Sequence, residues 1–136
     1  MSCRPELYIA NTASTSVVSG GIVPFNTTVR RRGLEIQRGG GGAVIEDSGS
    51  NYYEVEVSVT FTAPAAGIAT FKLQQNGADV IGATASTTIT TPTTEVRSVS
   101  FPATIRTFCC GSIDTLTLVC SGIATTITNA TMTVRK

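Results

Sequence analysis

Three groupings in this 136-residue chain carry side chains able to do chemistry: four cysteines (Cys3, Cys109, Cys110, Cys120), an arginine run (Arg30-Arg31-Arg32, with Arg38 beyond it), and the closely spaced acids Glu54 and Glu56. Histidine is absent. That removes the usual general base, the commonest zinc ligand and every Ser-His or Cys-His pairing. Thiolates alone can hold zinc, but these four show no C-x-x-C spacing. Free thiols acting as small buried hydrophobes are the default, and a disulfide joining Cys3 or Cys120 to one of the adjacent pair is the alternative. Cys109 and Cys110 point to opposite faces of an extended segment, so no more than one of them joins a core.

The arginines offer a site for a phosphate-bearing partner or for an acidic patch on a shell protein. The plainer reading is a solvated loop, or pairing with Glu35, Glu46 and Asp47. No aromatic side chain is interleaved with them, so nucleic acid is not indicated. Glu54 and Glu56 fall on one face of a strand, whereas glycosidase acids oppose each other across a cleft. Asp79, Glu95 and Asp114 are too widely spaced to outline a calcium loop. Gly39 to Gly42 lack the Lys-Ser/Thr and helix of a phosphate loop and read as a hairpin tip. Asn26-Thr27-Thr28 and Asn129-Ala130-Thr131 fit the glycosylation pattern without a secretory signal to expose them. No enzyme, metal or cofactor is expected.

Composition sets the surroundings. Charged residues are 14% of the chain, against about a quarter in ordinary domains. A surface so poor in charge is weakly guarded against association, which points to an oligomer. The net charge of +1 gives no general attraction to nucleic acid or membrane. Met1-Ser2-Cys3-Arg4-Pro5-Glu6 is too polar to open a signal peptide, and no apolar run approaches the roughly 18 residues of a membrane span. Synthesis in the cytosol without the common export route is expected.

The elements that must position these groups are strands. Tyr53, Val55, Val57, Val59 and Phe61 alternate with Glu54, Glu56, Ser58, Thr60 and Thr62, which predicts a half-buried strand over 52–62. Shorter strands are predicted near 7–9, 34–37 and 43–46, then at 68–75, 114–120 and 125–134. Asn76-Gly77 is a strong hairpin signal. A long strand from 95 to 108 is interrupted at Pro102, where a bulge or an edge is expected. The Ser/Thr/Ala stretch 84–94 reads as an edge strand and loop, placed near a subunit axis where small residues allow close approach. A carbohydrate-facing loop is its alternative. No window has helical periodicity, and around ten strands spaced by about 8–12 residues predict an all-β sandwich or barrel.

Val23-Pro24-Phe25-Asn26-Thr27 precedes the first core strands, and Gly49-Ser50-Asn51-Tyr52-Tyr53-Glu54-Val55 leads into the long strand. Leu73-Gln74-Gln75-Asn76-Gly77 forms a hairpin arm, and 125–134 closes the sheet. In this order the chain, from about residue 20 onward, resembles the tumour-necrosis-factor-like jelly roll of complement globular heads. The nearest likeness is to bacterial spore-filament tips and phage virion members. The resemblance implies a ten-stranded jelly-roll sandwich across residues 1–136, with 1–20 as an N-terminal strand or arm. It also implies a compact homotrimer that works by display and binding. The arginine run and the Cys109-Cys110 pair are not family hallmarks, and no Gly-X-Y stalk precedes the domain. Joined to the missing export signal, this leads to a non-enzymatic protein on the surface of a phage virion, as head decoration or fibre tip. Its expected partners are itself, a capsid or fibre protein, and a host-surface glycan. A spore-surface filament head and a carbohydrate-binding module are the alternatives.

Overall fold

Segments that alternate apolar and polar side chains can cover their apolar faces only by laying one sheet on another. A computed structural model describes residues 4–47, 49–107 and 113–136, and among these there is no helix. Eleven strands form, one more than the sequence predicts: β1 (Glu6–Asn11), β2 (Thr15–Val17), β3 (Thr27–Arg32), β4 (Ile36–Gly39), β5 (Gly42–Glu46), β6 (Tyr52–Thr62), β7 (Gly67–Gln75), β8 (Ala78–Ile89), β9 (Arg97–Arg106), β10 (Ile113–Gly122) and β11 (Thr125–Arg135).

The first sheet has the order β3-β1-β11-β6-β9, with β2 also paired to β11, and the second has β4-β5-β10-β7-β8. The strand pairs are antiparallel. Beyond the first residue of β5 the second sheet is continued alongside β10 by residues 20–23. Gly20 N donates to Cys120 O at 2.7 Å, and Val23 N donates to Leu118 O at 2.8 Å.

The core fills the space between the sheets. Val55, Val57, Val59 and Phe61 from β6 meet Phe71 and Leu73 from β7 and Leu116 and Leu118 from β10, all buried. The Phe61 and Phe71 rings are tilted, with centroids 4.9 Å apart. Each such side chain contributes about 1.5–3 kcal/mol by leaving water.

Both hairpin signals hold. Asn76 and Gly77 have φ of +55° and +82°, and Gly40 and Gly41 have +61° and +84°, the left-handed pairs that two-residue turns require. Pro102 lies on edge strand β9 in unbroken register opposite Glu56, so it marks an edge and no bulge. The Ser/Thr-rich stretch is the second half of edge strand β8 and the loop after it. Two local expectations are corrected. Arg30-Arg31-Arg32 lies in strand β3 and not in a loop, and the next strand starts at Ile36, leaving Leu34 outside it and 77% exposed.

Candidate functional site

The acids do structural work. Glu54 and Glu56 project outward from β6. Glu56 Oε2 lies 3.4 Å from a terminal guanidinium nitrogen of Arg135, and Glu54 stands across from Arg135 on one side and Thr104 on the other. Asp114 Oδ1 accepts from Asn76 Nδ2 at 2.8 Å and from Gln75 Nε2 at 3.2 Å, which pins the β7–β8 hairpin. Asp79 grips the same hairpin from the other strand, and its bonds from Gln74 and Lys72 lower its pKa. Glu95 Oε1 accepts from the amides of Thr91 and Thr90 at 2.9 and 2.8 Å. Those bonds, with the Arg97 guanidinium, hold its carboxyl at about 2. Among the described residues no group of three or more His, Cys, Asp or Glu is placed to hold a metal ion.

Cys120 points into the core from β10 and is a free thiol. Its sulfur lies 3.3 Å from Thr125 Oγ1. Burial pushes its pKa up and the Thr125 hydroxyl offsets this in part, which disfavours the reactive thiolate. Cys3, Cys109 and Cys110 lie outside the described residues.

The arginines are brought to one side of the sandwich but divide in role. Arg30 and Arg32 stand across from Tyr8 and Glu6 on the outward face of the first sheet, while Arg31 stands across from Leu7 on the opposite face. Arg31 Nε donates to Gly33 O at 3.0 Å. Arg38 reaches from β4 to brace β3, its Nε donating to Thr28 Oγ1 at 3.3 Å and a terminal nitrogen to Phe25 O at 3.4 Å. Among the described residues none of the four pairs with a carboxylate. The anticipated pairing with Glu35 and Asp47 is not made, because both acids lie beside Lys136, at 3.3 and 3.9 Å.

The outward face of the first sheet has a different character. Its middle is made of Ser58, Ser100, Pro102, Thr131 and Thr133, which rim a shallow depression of about 300 Å3. Val57, Phe101 and the Glu56 side chain, which is held toward Arg135, also line it. At one end the register sets Arg32, Glu6, Arg135 and Glu54 in a row of alternating charge across β3, β1, β11 and β6. The face is a small-residue, charge-poor floor with a charged rim. It can pack against another surface.

Sequence reasoning missed one polar centre. Asp47, 7% exposed, accepts from Asn51 Nδ2 at 2.6 Å, Tyr53 OH at 2.7 Å, Gly49 N at 2.9 Å and Thr107 Oγ1 at 3.4 Å. Burial opposes its charge, but the bonds from Gly49, Tyr53 and Asn51 and the Lys136 ammonium outweigh it, and its pKa falls to about 2. The Tyr53 hydroxyl is pushed the other way, first by burial and then by its bond to Asp47. The signal was available: a tyrosine at an inward strand position needs a buried acceptor for its hydroxyl.

Solved structures match over nearly the whole chain. Eiger TNF from S. frugiperda superposes with a TM-score of 0.67 at 14% identity, covering 98% of this chain and 92% of that one. PRD1 vertex protein P5 gives 0.63 at 14% identity, covering 97% and 96%. The fold is a tumour-necrosis-factor-like jelly roll. The globular domain of zebrafish complement 1qA is a more distant version of this jelly roll, with 0.58 at 8% identity over 96% and 94%. No family model and no curated protein sequence matches the chain. At these identities the likeness establishes the jelly roll alone, and function has to be argued from this chain's own surfaces.

Proposed function

We propose that the chain is a non-enzymatic structural module of the outside of a phage particle, a head decoration or fibre tip, built as a homotrimer through the outward face of the first sheet. The observation that carries this reading is the floor of Ser58, Ser100, Thr131 and Thr133. These short side chains lose little rotamer freedom on burial and let a second backbone come close. The depression continues to edge strand β9 at Pro102, so the edge of one copy meets the face of the next. Such a head-to-tail contact uses two different patches and closes into a ring when the rotation is threefold. The virion is one setting in which this fold occurs, as the match to PRD1 vertex protein P5 illustrates.

Light scattering on the purified protein tests the assembly. The expected mass is three times 14.1 kDa, and a monomer at micromolar concentration overturns the trimer. Antibody labelling of intact particles released by lysis tests the location. Labelled particle surfaces are expected, and protein confined to the soluble fraction overturns the virion reading.

A further inference from the structure

A sheet edge presents unpaired backbone N–H and C=O groups, and proteins blunt such edges with proline, bulges, short strands or charge. Three of the four edges here are blunted by backbone means. β9 contains Pro102, which has no N–H to offer. β8 breaks register against β7, where Lys72 pairs with Thr84 but Gln74 with Asp79, and Gly82 within that bulge has φ +84°. β4 is four residues long.

β3 is different. All six of its residues are exposed, and it contains no proline or glycine. Its one backbone guard is a single-residue bulge at Val29, between the Tyr8–Arg30 and Ile9–Thr28 pairs. Beyond that it is guarded by Arg30 and Arg32 on one face and Arg31 on the other, with no carboxylate paired to them among the described residues. Arg38 braces the strand from β4 through Thr28, so the edge is held in extended form. Charge is a selective guard. Guanidiniums on both faces repel the same edge of a second copy, yet they attract a strand of opposite sign.

We propose that β3 is a docking edge for an extended acidic segment of a different protein, which adds to the first sheet as a strand beside β3 and sets its carboxylates against Arg30, Arg31 and Arg32. Main-chain bonds supply the affinity, and guanidinium–carboxylate bonds select the sign. The site is at the opposite edge of the sheet from β9, with Arg30 and Arg32 on the same outward face as the trimer floor.

The test is fluorescence anisotropy with a labelled peptide of alternating glutamate and valine, and the matching lysine–valine peptide as control, added to the full chain. The acidic peptide binds, more weakly as salt is raised, and the basic one does not. Replacing Arg30, Arg31 and Arg32 together by glutamine weakens binding by at least about tenfold, the equivalent of one charge-assisted bond. Thr27→Pro and Thr28→Pro separate strand addition from simple charge attraction. Successive N–H groups point to opposite sides of a strand, so one variant loses pairing to β1 and stability, while the other stays folded and loses the peptide. Absence of binding by the acidic peptide overturns the proposal. So does binding that survives in both proline variants. Arginine-dependent capture of inorganic polyphosphate or duplex DNA that displaces the peptide and ignores both prolines also overturns it, because the edge then reads phosphate.

Discussion

Tyr53 donates its hydroxyl proton to Asp47 Oδ2 at 2.7 Å, and this bond fastens the start of the long strand β6 to the residue that follows β5. The same carboxylate takes the Asn51 amide and the Gly49 N–H, so the turn between the two strands is organised around one buried charge.

Tyr53→Phe removes one donor and leaves the ring in place. The expected loss is about 1–2 kcal/mol, read as a lower urea midpoint with an unchanged slope. Asp47→Ala leaves several donors unsatisfied and is expected to cost more than Tyr53→Phe. Equal stability of Asp47→Ala and the parent contradicts the network.

Acid sensitivity follows from the same group. The pKa of Asp47 falls from 3.8 unfolded to about 2 folded, so the unfolded chain binds its proton first as the pH drops. Its contribution is complete above the unfolded value and disappears as the pH falls through the folded one. Urea midpoints measured from neutral pH downward are expected to fall in that interval, and Asp47→Asn flattens this part of the profile.

Two glycines are required for different reasons. Gly77 sits at φ +82° with open space where a Cβ would go, so Gly77→Ala costs about 1 kcal/mol of backbone strain. Gly42 has an ordinary φ, but a Cβ there would meet Leu116 O at 2.0 Å. Gly42→Ala is expected to separate β5 from β10 and abolish cooperative thermal unfolding. Matching melting temperatures for the two variants would be the contrary result.

Cys120 is sealed in the core with a raised pKa. In a variant with Cys3, Cys109 and Cys110 replaced by serine, a thiol reagent is expected to label nothing until denaturant is added. Rapid labelling under native conditions would place Cys120 at the surface.

Ser100→Arg puts a long side chain on the small-residue floor beside Glu56, where its bulk holds a second copy away. The expected outcome is a monomer by light scattering with an unchanged circular dichroism spectrum. A trimer that tolerates Ser100→Arg places the contact elsewhere.

The legible parts of the fold were those with local causes. The alternation in β6, the Asn76-Gly77 turn and the edge marked by Pro102 each follow from a handful of neighbouring residues. β3 was not legible. Thr27-Thr28-Val29-Arg30-Arg31-Arg32 has no apolar alternation because an exposed edge strand buries neither face, and it is extended because β1 pairs with it.

Long-range polar contacts were hidden for a related reason. The chain does not mark Lys136 as the partner of Glu35, 101 positions away, nor Thr107 as a donor to Asp47. The arginines were singled out by composition, but which faces they occupy depends on a register that cannot be read before the strand is known.

The register between β1 and β11 runs from Glu6–Arg135 to Asn11–Ala130, so the earliest strand to be synthesised waits for the latest. During translation β1 has no inner neighbour until β11 has cleared the ribosome. Closing loops of that length makes folding slow, on the order of milliseconds to seconds for β topologies of this kind. Throughout that delay Leu7 and Ile9 remain uncovered, a window in which nascent copies are vulnerable to aggregation.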